Sequence, residues 1–284
     1  MIRRKAGSRA ANLIHAPGWT DPAASFQVAH HTLVSHGEAI PILRAYGDDE
    51  TQVGITLNFT PSYPASDKSE DVAAASRHDG FNNRWFVEPL FKGRYDPEVW
   101  SYLEPVMPRI MPGDMEIITR PIDFLGVNFY TRAVLEAADD GGLDFAQVLP
   151  EGDYTAMEWE VYPQALTDLL VRLHEEYSVP DTYITENGCA YSDTLTDDGH
   201  VHDIERTAYY RKHFAAAHAA IEQGAPLKGY YVWSLMDNFE WAFGYARRFG
   251  MVYVDFETQK RYPKDSALYF STVAAQNAVE IDPS

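Results

Sequence analysis

The amino-acid sequence predicts an α/β fold that contains four βα units. Apolar runs typical of strands alternate along the chain with segments of helical spacing, and polar side chains directly follow several of those runs. Such alternation indicates parallel strands joined by crossover helices, with ligand sites at the carboxyl ends of the strands. The length of 284 residues is close to the roughly 250 residues of one complete eight-stranded α/β barrel.

The first predicted helix begins at Asp21-Pro22, where a capping side chain precedes a proline of the first turn. Pro41 is expected to kink this helix or end it early. Its apolar positions keep helical spacing and are Phe26, Ala29, Leu33, Ile40 and Leu43. The first predicted strand follows at residues 53–59.

A long excursion with short helical pieces is predicted over residues 61–120, and a buried strand over residues 122–130. Residues 136–156, which include Asp139-Asp140-Gly141-Gly142, are predicted to form a surface loop. Pro163 opens the next helix, whose apolar positions are Leu166, Leu169, Leu170 and Leu173.

The last two predicted strands cover residues 181–188 and 229–235. The helix between them is predicted to end at Gly224. The apolar face of that helix contains Tyr210, Phe214, Ala217 and Ile221.

Composition excludes several classes of protein. The chain has 42 acidic and 23 basic side chains, so its formal charge is −19, which argues against a nucleic-acid or anionic-membrane binder. The hydrophobic share of 45% predicts a globular protein with a sizeable core. Cys189 is the single cysteine, and no run of about 18 apolar residues occurs. A reducing cytoplasm is therefore the expected compartment.

Glu186 is the most informative single residue, because it stands at the end of a predicted strand and thus at the mouth of the sheet. Asn187-Gly188 follows it directly. Taken alone, this tripeptide favours a turn with a capping acid, since Asn-Gly is first of all a turn signal.

A second cluster, Trp233-Ser234-Leu235-Met236-Asp237-Asn238-Phe239-Glu240-Trp241, follows the last predicted strand. Indole faces and carboxyl or amide groups suit the C–H faces and the hydroxyls of sugars. A packed aromatic corner with a surface glutamate is the alternative for any one of these residues. The whole string together with Glu186 favours a sugar site.

These residues resemble glycoside hydrolase family 1, the retaining β-glucosidases and β-glycosidases. The resemblance extends from about Ile14 onward, and its motifs occur in the family's order. They are His15-Ala16-Pro17-Gly18, Gly54-Ile55-Thr56-Leu57-Asn58, Trp85-Phe86 with Pro89 and Gly93-Arg94-Tyr95, Asp123 to Tyr130, Tyr183 to Gly188, and Trp233 to Trp241. The resemblance implies the C-terminal half, four βα units, of a (β/α)8 TIM barrel with long loops. It also implies a single half-barrel domain at residues 14–284, after an atypical N-terminal lead at residues 1–13.

The resemblance also implies roles for seven residues. Glu186 is similar to the catalytic nucleophile, and Tyr130 to the hydroxyl that orients it. The expected substrate-binding residues are Asn128, Trp233, Glu240, Trp241 and Phe249. Relatives that act on 6-phosphorylated sugars place a small polar residue where Glu240 stands, and an anionic Glu240 would repel a phosphate. The resemblance therefore implies an unphosphorylated β-glucoside or β-galactoside.

The second catalytic carboxyl of the family lies in an Asn-Glu-Pro string before the match to His15-Ala16-Pro17-Gly18, and residues 1–13 contain no Glu. Glu88 in Val87-Glu88-Pro89 matches a structural position in a helical insertion instead. Glu38, Glu158 and Glu160 lie in or before helices, so none resembles an acid at a strand end. The chain is therefore expected to carry the nucleophile half of the site without the acid/base.

Two hypotheses follow. The first is a retaining β-glucosidase-like hydrolase of terminal β-D-glycosyl residues that is at best weakly active alone. The second is a non-catalytic half-barrel that binds sugar, associates with itself or needs an N-terminal partner half. The preference among glucose, galactose and fucose stays open. No cofactor or metal is expected, because His30, His31 and His36 on one predicted helix form no metal motif.

Overall fold

The computed structural model of the chain describes residues 18, 20–139 and 143–280. Three sequence features lie outside the described residues: the predicted lead at residues 1–13, the motif residues His15-Ala16-Pro17, and the loop residues Asp140-Gly141-Gly142. In the described part, the predicted helices and strands occur in the predicted order, with further elements between them.

Most of the described helices are short, and three are long. The α-helices are α1 (Pro22–Tyr46), α2 (Ser69–Asp79), α3 (Trp85–Lys92), α4 (Pro97–Leu103), α5 (Asp114–Ile118), α6 (Gln164–Tyr177), α7 (Ile204–Glu222) and α8 (Asp265–Gln276). A π-helical segment covers Gly80–Arg84, and 3-10 turns cover Glu104–Val106 and Trp241–Phe243. None of these described helices combines the length and apolar character that crossing a membrane requires.

The described strands form three sheets. The strands are β1 (Gly54–Phe59), β2 (Ser62–Pro64), β3 (Phe124–Phe129), β4 (Ala133–Ala137), β5 (Phe145–Val148), β6 (Asp181–Asn187), β7 (Leu227–Val232), β8 (Val252–Val254) and β9 (Arg261–Pro263). Their orders are β1-β3-β6-β7, β2-β4-β5 and β8-β9. β6 pairs with β7 and β2 with β4 in parallel, whereas β4–β5 and β8–β9 are antiparallel.

The four strands that the sequence predicts are the four strands of the first sheet. Helices separate each of them from the next along the chain, as crossover connections of a parallel sheet require. The α/β fold class is therefore confirmed. Membership of these four βα units in a half-barrel stays a prediction.

Two compact units make up the chain. The first comprises Met1–Gly126, Arg132–Pro150 and Tyr177–Asp181, and the second comprises Val127–Thr131, Glu151–Glu176 and Thr182–Ser284. This division describes packing and does not test independent folding. The prediction of one domain over residues 14–284 therefore stays a prediction.

An aromatic cluster forms the core of the first unit beside α1. The Trp85 ring stacks on Tyr95 with a centroid separation of 4.4 Å, and Phe26 meets Trp85 edge-on at 4.9 Å. The buried imidazole of His30 lies 2.7 Å from the Tyr95 hydroxyl and 2.9 Å from Asp114 Oδ2. His30 is thus a hydrogen-bonded residue of this core.

Of the two expectations for Pro41, the early end is wrong, because the helix α1 continues to Tyr46. The kink stays a prediction. A proline in a helix leaves the carbonyl four residues earlier without its donor. Here that carbonyl belongs to Gly37, and it accepts a hydrogen bond of 2.7 Å from the Arg120 guanidinium. A donor distant in sequence therefore replaces the bond that Pro41 cannot make.

Residues 136–156 are not one continuous surface loop, so this prediction is wrong in part. β4 ends within the segment, and β5 returns antiparallel to it, with Val134 opposite Val148. Leu143 and Phe145 are buried, in keeping with the alternation of a strand. The Asp and Gly residues at 139–142 are typical of loops, so the sequence did not predict this pair of strands.

Elements near the C-terminus also differ from the prediction. β7 ends at Val232 rather than residue 235, so the indole of Trp233 lies just beyond the strand. The hairpin β8–β9 and the helix α8 follow without having been predicted. Each of these strands has only three residues, too few for a periodic signal in the sequence.

The helix α7 packs its aromatic face into the core of the second unit. Tyr210, Phe214 and Ala217 are buried as predicted, whereas Ile221 near the helix end is 48% exposed, contrary to the prediction. The helix ends at Glu222, and Gly224 adopts a left-handed φ of 95°, which explains the predicted stop.

The fully buried His213 of α7 makes the stability of the fold depend on pH. Its Nδ1 donates to the Tyr209 carbonyl at 2.8 Å, and its Nε2 is buried without a hydrogen-bond partner in the described structure. Burial lowers the pKa of His213 from 6.5 to about 4. The unfolded chain therefore takes up a proton below about pH 6.5 that the folded chain binds only near pH 4. The contribution to stability is complete above pH 6.5 and is lost as the pH falls.

Urea unfolding of the wild type and of His213→Phe at pH 7 and pH 5 tests this dependence. The phenyl ring retains the stack on Tyr209 but removes the titrating group. We expect the wild type to lose about 2 kcal/mol more unfolding free energy between these pH values than the variant loses. Equal losses in the two proteins would show that His213 does not titrate as described.

Candidate active site

Glu186 lies near the carboxyl end of β6, and its side chain is partly buried. Tyr130, the residue after β3, donates its phenol hydrogen to Glu186 Oε2 at 2.5 Å. This distance is typical of a strong, charge-assisted O–H···O⁻ hydrogen bond. The structure thus brings the predicted nucleophile and the predicted orienting hydroxyl into direct contact.

The Tyr130 phenol keeps its proton at neutral pH. Burial raises its pKa above the usual value, and the hydrogen bond to Glu186 and the charges of Glu186 and Glu240 raise it further. Tyr130 is therefore a permanent donor to the Glu186 carboxylate.

Asn187-Gly188 does not form the turn that the dipeptide suggests. Asn187 is a fully buried strand residue, and the backbone of Gly188 lies outside the left-handed region. A Cβ atom on Gly188 would lie 1.8 Å from the Trp233 carbonyl oxygen. The Asn187 carbonyl also accepts a hydrogen bond of 2.8 Å from the Trp233 backbone N–H. Close approach of two chain segments therefore explains the glycine.

Asn128 lies on β3, two residues before Tyr130. The Thr185 hydroxyl donates to Asn128 Oδ1 at 2.7 Å, and this bond orients the amide. Thr185 directly precedes Glu186 on β6. The predicted substrate-binding amide and the predicted nucleophile are thus connected through neighbouring strand residues.

The Trp233–Trp241 string brings an indole and a second carboxylate to the site. The Trp233 side chain hydrogen-bonds to Glu240. Partial burial raises the pKa of Glu240, the Trp233 bond opposes this effect, and the nearby Glu186 charge adds to it. Trp241 starts a 3-10 turn and has a side chain that is 51% exposed, the most exposed of the seven predicted site residues.

Phe249 and Trp159 form an aromatic wall beside Tyr130. The ring of Phe249 meets that of Tyr130 edge-on at 6.3 Å, and Trp159 lies 5.1 Å from Tyr130 and 6.0 Å from Phe249. Trp159 was not among the residues predicted for the site. Its one signal was an indole within the polar segment before α6, and that segment contains no periodic pattern.

Asp237 anchors the Trp233–Trp241 string to the core of the second unit. Its buried carboxylate accepts hydrogen bonds from Lys264 at 2.9 Å, from the Arg248 guanidinium and from the Gly250 backbone N–H at 3.0 Å. Lys264 precedes α8, so this unpredicted helix places a cation beneath the string.

The cluster around Lys264 extends to further buried charges. Lys264 Nζ also lies 2.6 Å from Asp193, which receives two hydrogen bonds of 2.9 Å from Arg206. Lys264 and Arg206 are both fully buried. Removing one partner of such a pair typically costs about 3–5 kcal/mol, because the other charge is left uncompensated. The cluster therefore resists displacement of the string.

The other acids that the sequence analysis weighed lie where it predicted. Glu88 is a buried residue of α3 and pairs with Lys92 at 3.2 Å. Glu38 belongs to α1 and pairs with Arg120 at 3.0 Å. Glu158 and Glu160 precede α6. Over the described ranges, no group of three or more His, Cys, Asp or Glu side chains is arranged to hold a metal ion.

A family model and several relatives match most of the chain. The sequence model of the family described as "Glycosyl hydrolase family 1" matches residues 9–279. The chain is 40% identical over 268 residues to "Beta-glucosidase A" of Thermotoga maritima, covering 94% of this chain and 60% of that protein. It is 39% identical over 269 residues to "Beta-glucosidase A" of Acetivibrio thermocellus, covering 93% and 60%.

Solved structures show the same relationship. A family 1 β-glucosidase from Thermotoga maritima superimposes with a TM-score of 0.91 at 40% identity, over 94% of this chain and 60% of that chain. Its complex with deoxynojirimycin gives a TM-score of 0.91 at 39% identity, over 96% and 63%. The chain therefore spans about 60% of the length of the relatives it matches.

The parallel sheet with a strand-end carboxylate bound by a phenol defines an α/β protein with a candidate active site at the carboxyl ends of its strands. The family model matches residues 9–279, which is most of the chain. The chain belongs to glycosyl hydrolase family 1.

Proposed function

We propose that the chain carries the nucleophile half of a β-glucosidase active site, with Glu186 as the nucleophile of a retaining mechanism. The observation that carries this proposal is the 2.5 Å hydrogen bond from Tyr130 to Glu186 at the carboxyl ends of two neighbouring strands. A retaining glycosidase needs a carboxyl group fixed next to the anomeric carbon, and the phenol hydrogen bond fixes the Glu186 side chain.

In the proposed reaction, a Glu186 oxygen attacks the anomeric carbon of a β-glycoside. The bond from that carbon to the leaving oxygen breaks, and its electron pair stays on the leaving oxygen. The resulting glycosyl ester is hydrolysed when water attacks the same carbon, releases Glu186 as a carboxylate and gives up one proton to the solvent. Two inversions at one carbon retain the β configuration.

The proposed sugar contacts are Asn128, Trp233, Glu240, Trp241 and Phe249. Trp233 supplies a flat apolar face for the C–H groups of the ring, and Glu240 supplies an acceptor for hydroxyls. The negative charge of Glu240 disfavours a phosphorylated sugar. The relative from Thermotoga maritima is named a β-glucosidase and has been solved with deoxynojirimycin, which supports a β-glucoside as the substrate class.

We also propose that the described residues do not supply the general acid/base of this reaction, because Glu38, Glu88, Glu158 and Glu160 lie in or before helices and not at a strand end. Without it, the leaving oxygen departs unprotonated, and loss of general acid catalysis typically slows such a step by about 10²- to 10⁴-fold. Leaving groups that are stable as anions escape this penalty. The isolated chain is therefore expected to react with activated glycosides and to hydrolyse cellobiose poorly.

Covalent labelling tests the nucleophile. We expect 2,4-dinitrophenyl 2-deoxy-2-fluoro-β-D-glucopyranoside to add one fluoroglucosyl group per chain, because the dinitrophenolate leaves without a proton. Intact-mass measurement detects the adduct, and peptide mapping locates it on Glu186. The Glu186→Gln variant should stay unlabelled, whereas Glu88→Gln, a matched change in α3, should label like the wild type. An unlabelled wild type, or an adduct on another residue, would refute the role of Glu186.

A second candidate function is non-catalytic, and a specific surface favours it. β7 is the last strand in the order of its sheet. On this strand and the segment after it, five apolar or aromatic side chains are 51–62% exposed, and we call them the 231–245 patch: Tyr231, Leu235, Phe239, Trp241 and Tyr245. An edge strand beside exposed apolar side chains is a typical site of chain association.

Light scattering of the purified chain tests association through the 231–245 patch. We expect a dimer or larger oligomer that dissociates when Leu235→Lys and Phe239→Lys are combined, because the two charges oppose burial of the patch. The matched control Val72→Lys, at a residue of α2 that is 49% exposed, should leave the mass unchanged.

A separately expressed N-terminal half of a family β-glucosidase distinguishes the two candidates. Restored cellobiose hydrolysis on mixing would favour the catalytic proposal, and stable association without hydrolysis would favour the non-catalytic one. A stable wild-type monomer that binds no N-terminal half would contradict association altogether.

A further inference from the structure

Both N–H groups and the Oδ1 oxygen of the Asn187 amide are hydrogen-bonded within the fold. Its two N–H groups donate to the Phe129 carbonyl and to the Tyr209 hydroxyl, both at 2.9 Å. Its Oδ1 accepts a hydrogen bond from the Tyr230 hydroxyl. A rotated amide would turn its oxygen toward the Phe129 carbonyl, so these contacts allow one orientation. Asn187 is fully buried, which makes that orientation rigid.

Tyr209 of α7 continues this set of bonds to the end of β3. Its hydroxyl accepts from Asn187 and donates to the Tyr130 carbonyl oxygen at 3.2 Å. Burial raises the pKa of Tyr209 well above its usual value, so the hydroxyl keeps the proton that it donates. The ring of His213 stacks on Tyr209 at 3.8 Å and fixes its plane.

Tyr130, whose backbone accepts the Tyr209 hydrogen bond, is also the residue that contacts Glu186. Tyr130 receives the Tyr209 bond on its backbone and gives its phenol hydrogen to Glu186. Asn187 is the next residue after Glu186 on β6, and its buried side chain bonds to Phe129 and Tyr209, whereas the Glu186 side chain bonds to the Tyr130 phenol. One strand thus presents Glu186 to the site while the adjacent Asn187 holds the backbone of the strand beside it.

Resting on the proposed function of Glu186, we infer that Asn187 and Tyr209 are positioning residues for the nucleophile. They hold the carbonyl groups of Phe129 and Tyr130 from the buried side of the sheet. The Tyr130 phenol is thereby aligned with the Glu186 carboxylate before any sugar binds. A structural role alone would change stability, whereas a positioning role changes the rate of the attack by Glu186.

The Tyr209→Phe variant tests this inference, with Tyr269→Phe as its matched control. Both remove one tyrosine hydroxyl from the α7–α8 core, but the Tyr269 hydroxyl has no hydrogen-bond partner in the described structure. Tyr230→Phe is a milder second variant, because Asn187 then keeps both of its donor bonds. Thermal unfolding establishes that each variant is folded.

The first measurement is the rate of labelling by the dinitrophenyl fluoroglucoside at several concentrations. We expect Tyr209→Phe to lower the maximal labelling rate by about 10- to 100-fold, the range for a slight misplacement of reacting groups. The concentration for half-maximal labelling should change less than threefold, because Trp233 and Glu240 are untouched. Tyr230→Phe should give an intermediate rate, and Tyr269→Phe the wild-type rate.

The second measurement does not require activity. The hydroxyl proton of Tyr130, identified by its disappearance in Tyr130→Phe, should resonate far downfield in the wild type because its bond to Glu186 is short. We expect this resonance to shift upfield and exchange faster in Tyr209→Phe, but not in Tyr269→Phe. If the wild type is not labelled but the resonance still shifts in Tyr209→Phe, the proposed function is refuted and the positioning of Tyr130 is supported. Equal resonances and equal labelling rates in Tyr209→Phe and Tyr269→Phe would overturn the inference.

Discussion

The hydrogen bond between the Tyr130 phenol and the Glu186 carboxylate is the constraint on which the site depends. It joins side chains from the ends of β3 and β6, so its length is set by the pairing of strands rather than by either residue alone. The absent side chain of Gly188 lets Trp233 approach the end of β6. The buried amide of Asn187 holds the neighbouring backbone. Each of these features preserves the relative position of two strand ends.

A further kind of interaction holds the part of the site that is proposed to bind the sugar. The Trp233–Trp241 string lies beyond β7, where separate backbone hydrogen bonds, such as Trp233 N–H to the Asn187 carbonyl, still hold the chain. Buried ion pairs add to them, because Asp237 is paired with Lys264 and Arg248. Hydrogen bonds from uncharged donors thus hold Glu186 and the strand beside it, whereas buried ion pairs hold the Trp233–Trp241 string.

Patterns local in sequence predicted the main strands, the helix α7 and the position of Glu186, because alternating polarity and strand ends are encoded by adjacent residues. Features set by distant partners could not be predicted in this way. Pro41 lies inside α1, where Arg120 supplies the donor that the Gly37 carbonyl lacks. Asn187-Gly188 does not form the expected turn, because Asn187 is hydrogen-bonded to Phe129, Tyr209 and Trp233. Trp159 packs against Tyr130 in the site, and no sequence motif predicts this contact.

The central claim is that this chain by itself holds Glu186 and Tyr130 in the arrangement that nucleophilic attack requires. A high-resolution crystal structure of the chain alone, without sugar or a second polypeptide, measures this most directly. The account predicts that Tyr130 Oη lies 2.5 Å from Glu186 Oε2, with Asn187 bonded to the Phe129 carbonyl. A separation beyond about 3.5 Å, with the Glu186 side chain turned away from Tyr130, would contradict it.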